Sequence, residues 1–311
     1  MTTDRIAVVL MAYGTPRSPA EIEPYYTDIR RGRPPTPEAL ADLTARYAAI
    51  GGVSPLAQLT EAQGAALQAA LDAEEPGRFE VSLGLKHADP KVEDTARRVA
   101  ADGARAVVGL VLAPHYSSYS IGQYLDRVRQ GVDDSGADIP VVGIDSWAVE
   151  PAFVEFLSAD LAERVAAMRE RTSGRVMVLF TAHSLPQRII DGGDPYPDEL
   201  RSTARAVAAR VGLSEGDDWQ IAWQSAGRTP EPWIGPDVLE VIDSLADDGV
   251  AGVIVSACGF VADHLEVLYD LDIEAFERAA SHGLAFDRTA CINDDPTVMA
   301  ALAERVRAVA P

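Results

Sequence analysis

The chain has 311 residues, enough for about two domains of ~150 residues each, and its hydrophobic content of 47% is that of an ordinary globular protein. A formal charge of -21 argues against nucleic acid and anionic membrane surfaces as main partners. Only two cysteines, Cys258 and Cys291, are present and they lack CxxC spacing, which argues against a disulfide framework, a zinc ribbon or a four-cysteine iron–sulfur cluster.

The opening residues MTTDRIAVVL do not read as a signal peptide, and no apolar run approaches the ~20 residues needed to cross a bilayer. A soluble cytoplasmic protein without integral membrane association is therefore expected. The first element is IAVVLMA (6–12), a continuous apolar run read as a buried strand, and Tyr13 follows it. The stretches YYTDIRRGRPP (25–35) and RYAAIGGVSPLA (46–57) bring Arg30, Arg31, Arg33 and Arg46 together with Tyr25, Tyr26, Tyr47 and Ser54. Arginines mixed with aromatics bind planar anions through bidentate carboxylate contacts and stacking. An exposed basic loop is the plainer alternative. Gly51–Gly52 reads as a turn, and no GxGxxG or Walker A pattern follows a strand, which argues against a nucleotide cofactor.

Further strands are read at FEVSLGL (79–85), AVVGLVLA (106–113) and IPVVGI (139–144), with an amphipathic helix over 89–103 that ends in glycine. His87 in GLKHADP and His115 in LAPHYSSYSIGQY fall at strand ends, as does the segment leading to Tyr124. A lone histidine there is more often structural. In the second half, RVMVLFTA (175–182), WQIAWQS (219–225) and VAGVIVSA (250–257) read as strands, and 235–249 as a helix. His183 closes the first of these. Ser184 suits a helix cap and Pro186 a first helical turn. On this local pattern a structural histidine and a functional one both stay open.

In HLEVLYDLDIEAFE (264–277), Glu266, Asp270 and Glu274 recur at i, i+4 and i+8, which predicts one helix face, with Leu265, Leu268, Leu271 and Ile273 burying the rest. Like charges so spaced cost roughly 0.2–0.5 kcal/mol per pair. Either the face is simply solvated, or it is a row of oxygen ligands guiding a divalent cation toward a histidine. Asp263 reads as the N-cap.

MAYGTP (11–16) is echoed by TAHSLP (181–186), and 103–117 by 249–263, in the same order. The expected fold class is α/β: two Rossmann-like domains, each a parallel sheet flanked by helices. Residues 1–145 form the first and 146–294 the second, and the final helical stretch 295–310 can pack on either. Ligands of open parallel sheets bind beyond the carboxyl ends of the strands. Tyr13 and His183 would both lie there, facing one cleft.

Together LMAYGTP, YYTDIRRGRPP, RYAAIGGVSPLA, GLKHADP, FTAHSLP, WQSAGRTPEPWIGPD and GFVADHLEVLYDLDIE resemble the ferrochelatase family, in family order and over nearly the whole chain. The resemblance is strongest to the soluble coproporphyrin III enzymes of Gram-positive bacteria. It implies a chelatase fold with the active-site cleft between the domains, and insertion of Fe²⁺ into coproporphyrin III in haem biosynthesis. Protoporphyrin IX is the alternative substrate, and a non-catalytic tetrapyrrole or metal carrier a third reading. A sirohydrochlorin chelatase fits less well, because such enzymes tend to lack the YYTDIRRGRPP segment.

The resemblance further implies that His183 and Glu266 receive iron and remove pyrrole protons. It puts Tyr13 on the opposite ring face, and has Asp270 and Glu274 continue the metal path toward solvent. Arg30, Arg31, Arg46, Ser54 and Tyr124, with Tyr13, are implied to hold the porphyrin; His87 lies near the cleft, and Trp223, Gln224 and Ser225 form a wall. Iron enters as substrate with no resident cofactor, and two cysteines cannot hold the [2Fe–2S] cluster of some relatives. A monomer that hands product transiently to neighbouring haem-pathway enzymes is expected.

Overall fold

The computed structural model describes residues 5–311. The chain divides into two compact units: one comprises residues up to 113 with 118–146 and 293–311, the other residues 114–117 and 147–292. Residues 114–117, which lie within the span read as the first domain, thus belong to the second unit.

In the first unit, β1 (Ile6–Ala12) is buried along its whole length, as its unbroken apolar sequence requires. It pairs in parallel with β2 (Phe79–Leu85) on one side and β3 (Ala106–Val111) on the other, and β4 (Val141–Ile144) extends the sheet in the order β2-β1-β3-β4. Parallel strands need crossovers, and helices supply them. Leu56–Glu74 and Val92–Ala101 flank the sheet, and the latter packs on Gln123–Ser135. The C-terminal helix Pro296–Val309 packs on Leu56–Glu74 and buries Val298, Met299, Leu302 and Val306.

The second unit repeats this design. Its central strand β5 (Val176–His183) pairs in parallel with β6 (Trp219–Gln224) and β7 (Gly252–Ser256), and β8 (Ala285–Arg288) completes the order β6-β5-β7-β8. Pro151–Arg171 packs against Tyr196–Val211. Val238–Asp247 is started by a reciprocal capping box between Asp237 and Glu240 and fills the core with Val238, Val241, Ile242 and Leu245. Among the described residues, no helix is long and apolar enough to cross a membrane.

The regular helix expected over 264–277 is broken into three pieces. A short α-turn, Leu265–Leu268, leads into a π-helical turn, Asp270–Ala275, and then Phe276–Ser281. The amide of Glu274 reaches back five residues to the Tyr269 carbonyl, at 3.0 Å. The cause lies on the buried face, where Val267, Leu271, Ala275 and Ala279 are all fully buried and recur every fourth residue. In a plain α-helix that spacing drifts by about 40° per step and would rotate the line out of the core. The wider π-turn takes up the drift. The core line differs from the one expected: Leu271 belongs to it, whereas Leu265, Leu268 and Ile273 are half-buried.

Candidate active site

In the second unit, β5 delivers His183 at its carboxyl end. The backbone there is fixed on several sides. Ser184 N–H donates to the Gln224 carbonyl (2.8 Å), and Gly259 N–H to the Thr181 carbonyl (2.9 Å). A Cβ on Gly259 would lie 2.3 Å from that of Ala182, so only glycine lets this loop approach the strand end. Ser184 does not cap a helix; its hydroxyl donates to the Ile234 carbonyl at 2.7 Å, and Pro186 occupies the cap position of Gln187–Asp191.

The His183 ring is oriented by its own neighbour. Nδ1 lies against the Ser184 carbonyl, which can only accept, so Nδ1 carries a hydrogen and Nε2 is the nitrogen turned toward the site. That Nε2 stands 3.7 Å from Glu266 Oε1. His264 is arranged in the same way: Nδ1 donates to the Ala262 carbonyl at 3.0 Å, and Nε2 stands 3.6 Å from Glu266 Oε2. The Glu266 carboxylate is thus flanked by two imidazole Nε2 atoms, each too far for a direct hydrogen bond. Imidazoles beside a carboxylate can take up and pass a proton. His264 is a site residue that the sequence pattern did not single out; its signal was its place two positions before Glu266.

Glu266 is itself held by its main chain, since Gln224 donates to the Glu266 carbonyl at 2.8 Å. Of the other residues on the expected metal path, Asp270 is buried and accepts a hydrogen bond from Ser225, and Glu274 is half-buried on the π-turn. Ser225 adopts the left-handed backbone region with φ of 59°. Strain of that kind persists only where its surroundings fix it. Among the described residues, no group of three or more His, Cys, Asp or Glu is disposed to hold a metal ion, and His183 and Glu266 stand 3.7 Å apart as a pair. Asp263 does not cap the helix; it pairs with Arg288 at 3.1 Å.

In the first unit, the ladder between β1 and β2 continues past both strands. Lys86 N–H donates to the Ala12 carbonyl and His87 N–H to the Tyr13 carbonyl, at 2.9 and 3.0 Å. Gly14 follows with φ of 87°, and a Cβ there would meet that of Ala88 at 2.8 Å. The turn therefore presents Tyr13 outward, 43% exposed, with its ring 4.6 Å from that of His87 and edge-on to Tyr25. Burial draws the His87 imidazole down to about 4, against the opposing pull of Asp28. Burial and the nearby Arg127 and Arg31 draw Lys86, whose ammonium lies over the Tyr124 ring, down to about 8. Lys86 too was not singled out by pattern, although it adjoins His87 in GLKH.

The residues read as porphyrin-binding divide into two kinds. Arg30 and Arg31 are exposed, and Arg30 lies over the Tyr26 ring. Arg46 is half-buried beside Asp42 at 3.3 Å. Ser54 and Tyr124 are buried; Ser54 accepts the Leu56 amide at the start of Leu56–Glu74. His115 is also buried and structural in its contacts. Thr203 gives its hydroxyl hydrogen to the Ala148 carbonyl and so accepts from His115 Nε2.

Two α/β units, each built on a four-stranded parallel sheet, form the fold of this chain. Solved structures share it: the sirohydrochlorin chelatase SirB from Bacillus subtilis subspecies spizizenii in complex with cobalt aligns with a TM-score of 0.57 at 12% identity, over 97% of this chain and 94% of that one. CbiX, described as the terminal enzyme of sirohaem biosynthesis in denitrifying bacteria, aligns at 0.53 and 12%, over 99% of this chain and 100% of its own.

The ferrochelatase family model matches residues 5–310, and the chain belongs to the ferrochelatase family. Relatives include a ferrochelatase from Herpetosiphon aurantiacus, 44% identical over 94% of this chain and 95% of its own. Coproporphyrin III ferrochelatases from Geobacillus thermodenitrificans (43%; 97% of this chain, 95% of theirs) and Bacillus subtilis (41%; 97% of each) are similar over almost the full length.

Proposed function

We propose that the protein inserts Fe²⁺ into coproporphyrin III, releasing the two pyrrole protons and giving iron coproporphyrin for haem biosynthesis. The similarity to coproporphyrin III ferrochelatases over 97% of the chain supports the substrate. The observation that carries the chemistry is the Glu266 carboxylate between the Nε2 atoms of His183 and His264.

Metal insertion is slow because the pyrrole nitrogens must turn lone pairs to one side while two protons leave. Binding energy at the ring's edge offsets the bending that this requires. In this reading Arg30, Arg31 and Arg46 hold propionates, with Ser54 and Tyr124 buttressing them from within the unit, and the Tyr13 hydroxyl approaches the metal centre. His183 Nε2 takes a pyrrole proton. Glu266 stabilises the imidazolium and replaces water on the incoming iron, which arrives along Asp270 and Glu274.

Iron is substrate here, with no resident cofactor and no [2Fe–2S] cluster. The protein works as a cytoplasmic monomer and passes product by transient contact. An anaerobic comparison of Fe²⁺ insertion into coproporphyrin III and protoporphyrin IX tests this. Faster turnover of coproporphyrin III is expected; preference for protoporphyrin IX overturns the substrate, and binding without turnover makes the protein a carrier.

A further inference from the structure

Behind Tyr13 lies a carboxylate that the proposed chemistry does not use. Asp28, on the helix Ile22–Ile29, divides its two oxygens: Oδ1 accepts from Lys91 Nζ at 2.9 Å, and Oδ2 meets His87 Nδ1 at 2.7 Å. The contacts reach the strand end by two routes. The His87 ring touches the Tyr13 ring, and the His87 amide donates to the Tyr13 carbonyl. On the other side, the Tyr25 hydroxyl, on the same helix as Asp28, donates to the Gly14 carbonyl at 3.2 Å.

A carboxylate can only accept, so the His87 nitrogen facing it carries hydrogen and the imidazole has its Nε2 lone pair free. Lys91 balances the charge of Asp28. The carboxylate therefore orients the ring without drawing it into a charged pair, much as a carboxylate fixes the tautomer of a metal-binding histidine from behind.

We propose that Asp28 is a positioning residue: it fixes the tautomer and plane of His87, and through His87 the ring of Tyr13. Its kinetic consequence rests on the iron-insertion reading above; its structural consequence does not. With five histidines in the chain, long-range ¹⁵N–¹H spectra of ¹⁵N-histidine-labelled protein can identify each ring. In the wild type, His87 is expected to carry hydrogen on Nδ1 near neutral pH. Asp28→Ala is expected to move it toward the Nε2–H form, and Asp28→Asn, which keeps an acceptor oxygen, to retain it. A wild-type His87 protonated on Nε2, or a tautomer indifferent to Asp28→Ala, overturns the proposal without any assay, and the wild-type spectrum decides even if the alanine variant does not fold.

The kinetic arm is a double-mutant cycle. Asp28→Ala should lower kcat for iron insertion on the order of tenfold, and the Asp28→Ala/His87→Ala double variant should be no slower than His87→Ala alone. Multiplying losses would mean that Asp28 acts elsewhere and would overturn the proposal. Absence of insertion by the wild type would count against the proposed function and leave the tautomer result to decide this one.

Discussion

At the end of β1 the chain turns through Tyr13 and Gly14; at the end of β5 it turns through His183 and Ser184. The strand orders match, and both turns leave the central strand of a four-stranded parallel sheet. Yet the chemistry around them is opposite. Beside the first turn lie Lys86 and His87, and the nearby carboxylate, Asp28, is already held by Lys91 and His87. The second gathers two imidazoles around a carboxylate. One backbone pattern thus carries a set suited to anions and another suited to a cation. The sheet fixes where a side chain emerges, while the crossover segments decide what it meets.

Breaking the cationic-ligand end should have the largest effect. His183→Ala is expected to lower kcat for iron insertion by roughly 10²–10⁴-fold, the range for losing a general base. Its thermal midpoint should stay within a few degrees of wild type, since the ring is partly exposed; near-normal turnover would remove His183 from the role proposed. At the other end, Arg30→Ala with Arg31→Ala should raise KM for coproporphyrin III on the order of tenfold, with a smaller change in kcat. A drop in kcat at unchanged KM would assign these arginines to chemistry rather than to binding.

One buried histidine in each unit responds to acid in the same direction. Burial holds His115 down at about 3, and His87 lies at about 4, against 6.5 for an unhindered ring. Below pH 6.5 the unfolded chain takes up these protons and the folded one does not. Stability should therefore fall as pH drops from 6.5 toward 4, by up to about 1.4 kcal/mol per pH unit for each group. Urea unfolding across this window checks it, and His115→Gln should flatten part of the slope.

The smallest effect concerns backbone strain. Gly14 carries its positive φ without cost, whereas Ser225 carries one that its bond to Asp270 helps to hold. Ser225→Ala should cost about 1 kcal/mol, and Ser225→Gly should be the milder change by about 0.5–1 kcal/mol. Equal urea midpoints for the two would mean that the left-handed conformation is unstrained.

Much of this was legible in the sequence. Continuous apolar runs such as 6–12 and 250–257 can only be strands buried on both faces, and the echo of MAYGTP in TAHSLP marked the two central strands. The acidic spacing located Glu266. Spacing could not reveal the π-turn, which depends on Val267, Leu271, Ala275 and Ala279 all having to meet one core. Nor could it place Ser184, whose hydroxyl goes to a carbonyl fifty residues away in sequence, at Ile234. The role of Lys86 arises from Gln123 and Tyr124, distant in the chain, which a local pattern does not encode, whereas His264 meets Ala262 and Glu266 within two residues.

Both turns are borne by strands hydrogen-bonded on two sides. Displacing the strands that lead to Tyr13 and His183 would mean opening two ladders at once, which run together as far as Met11 and Phe180, an event close to global unfolding in cost. The amides behind these residues should be among the slowest to exchange with solvent. Any adjustment at these two ends must then come from side chains and from segments outside the ladders, so each strand end serves its side chain as a fixed anvil.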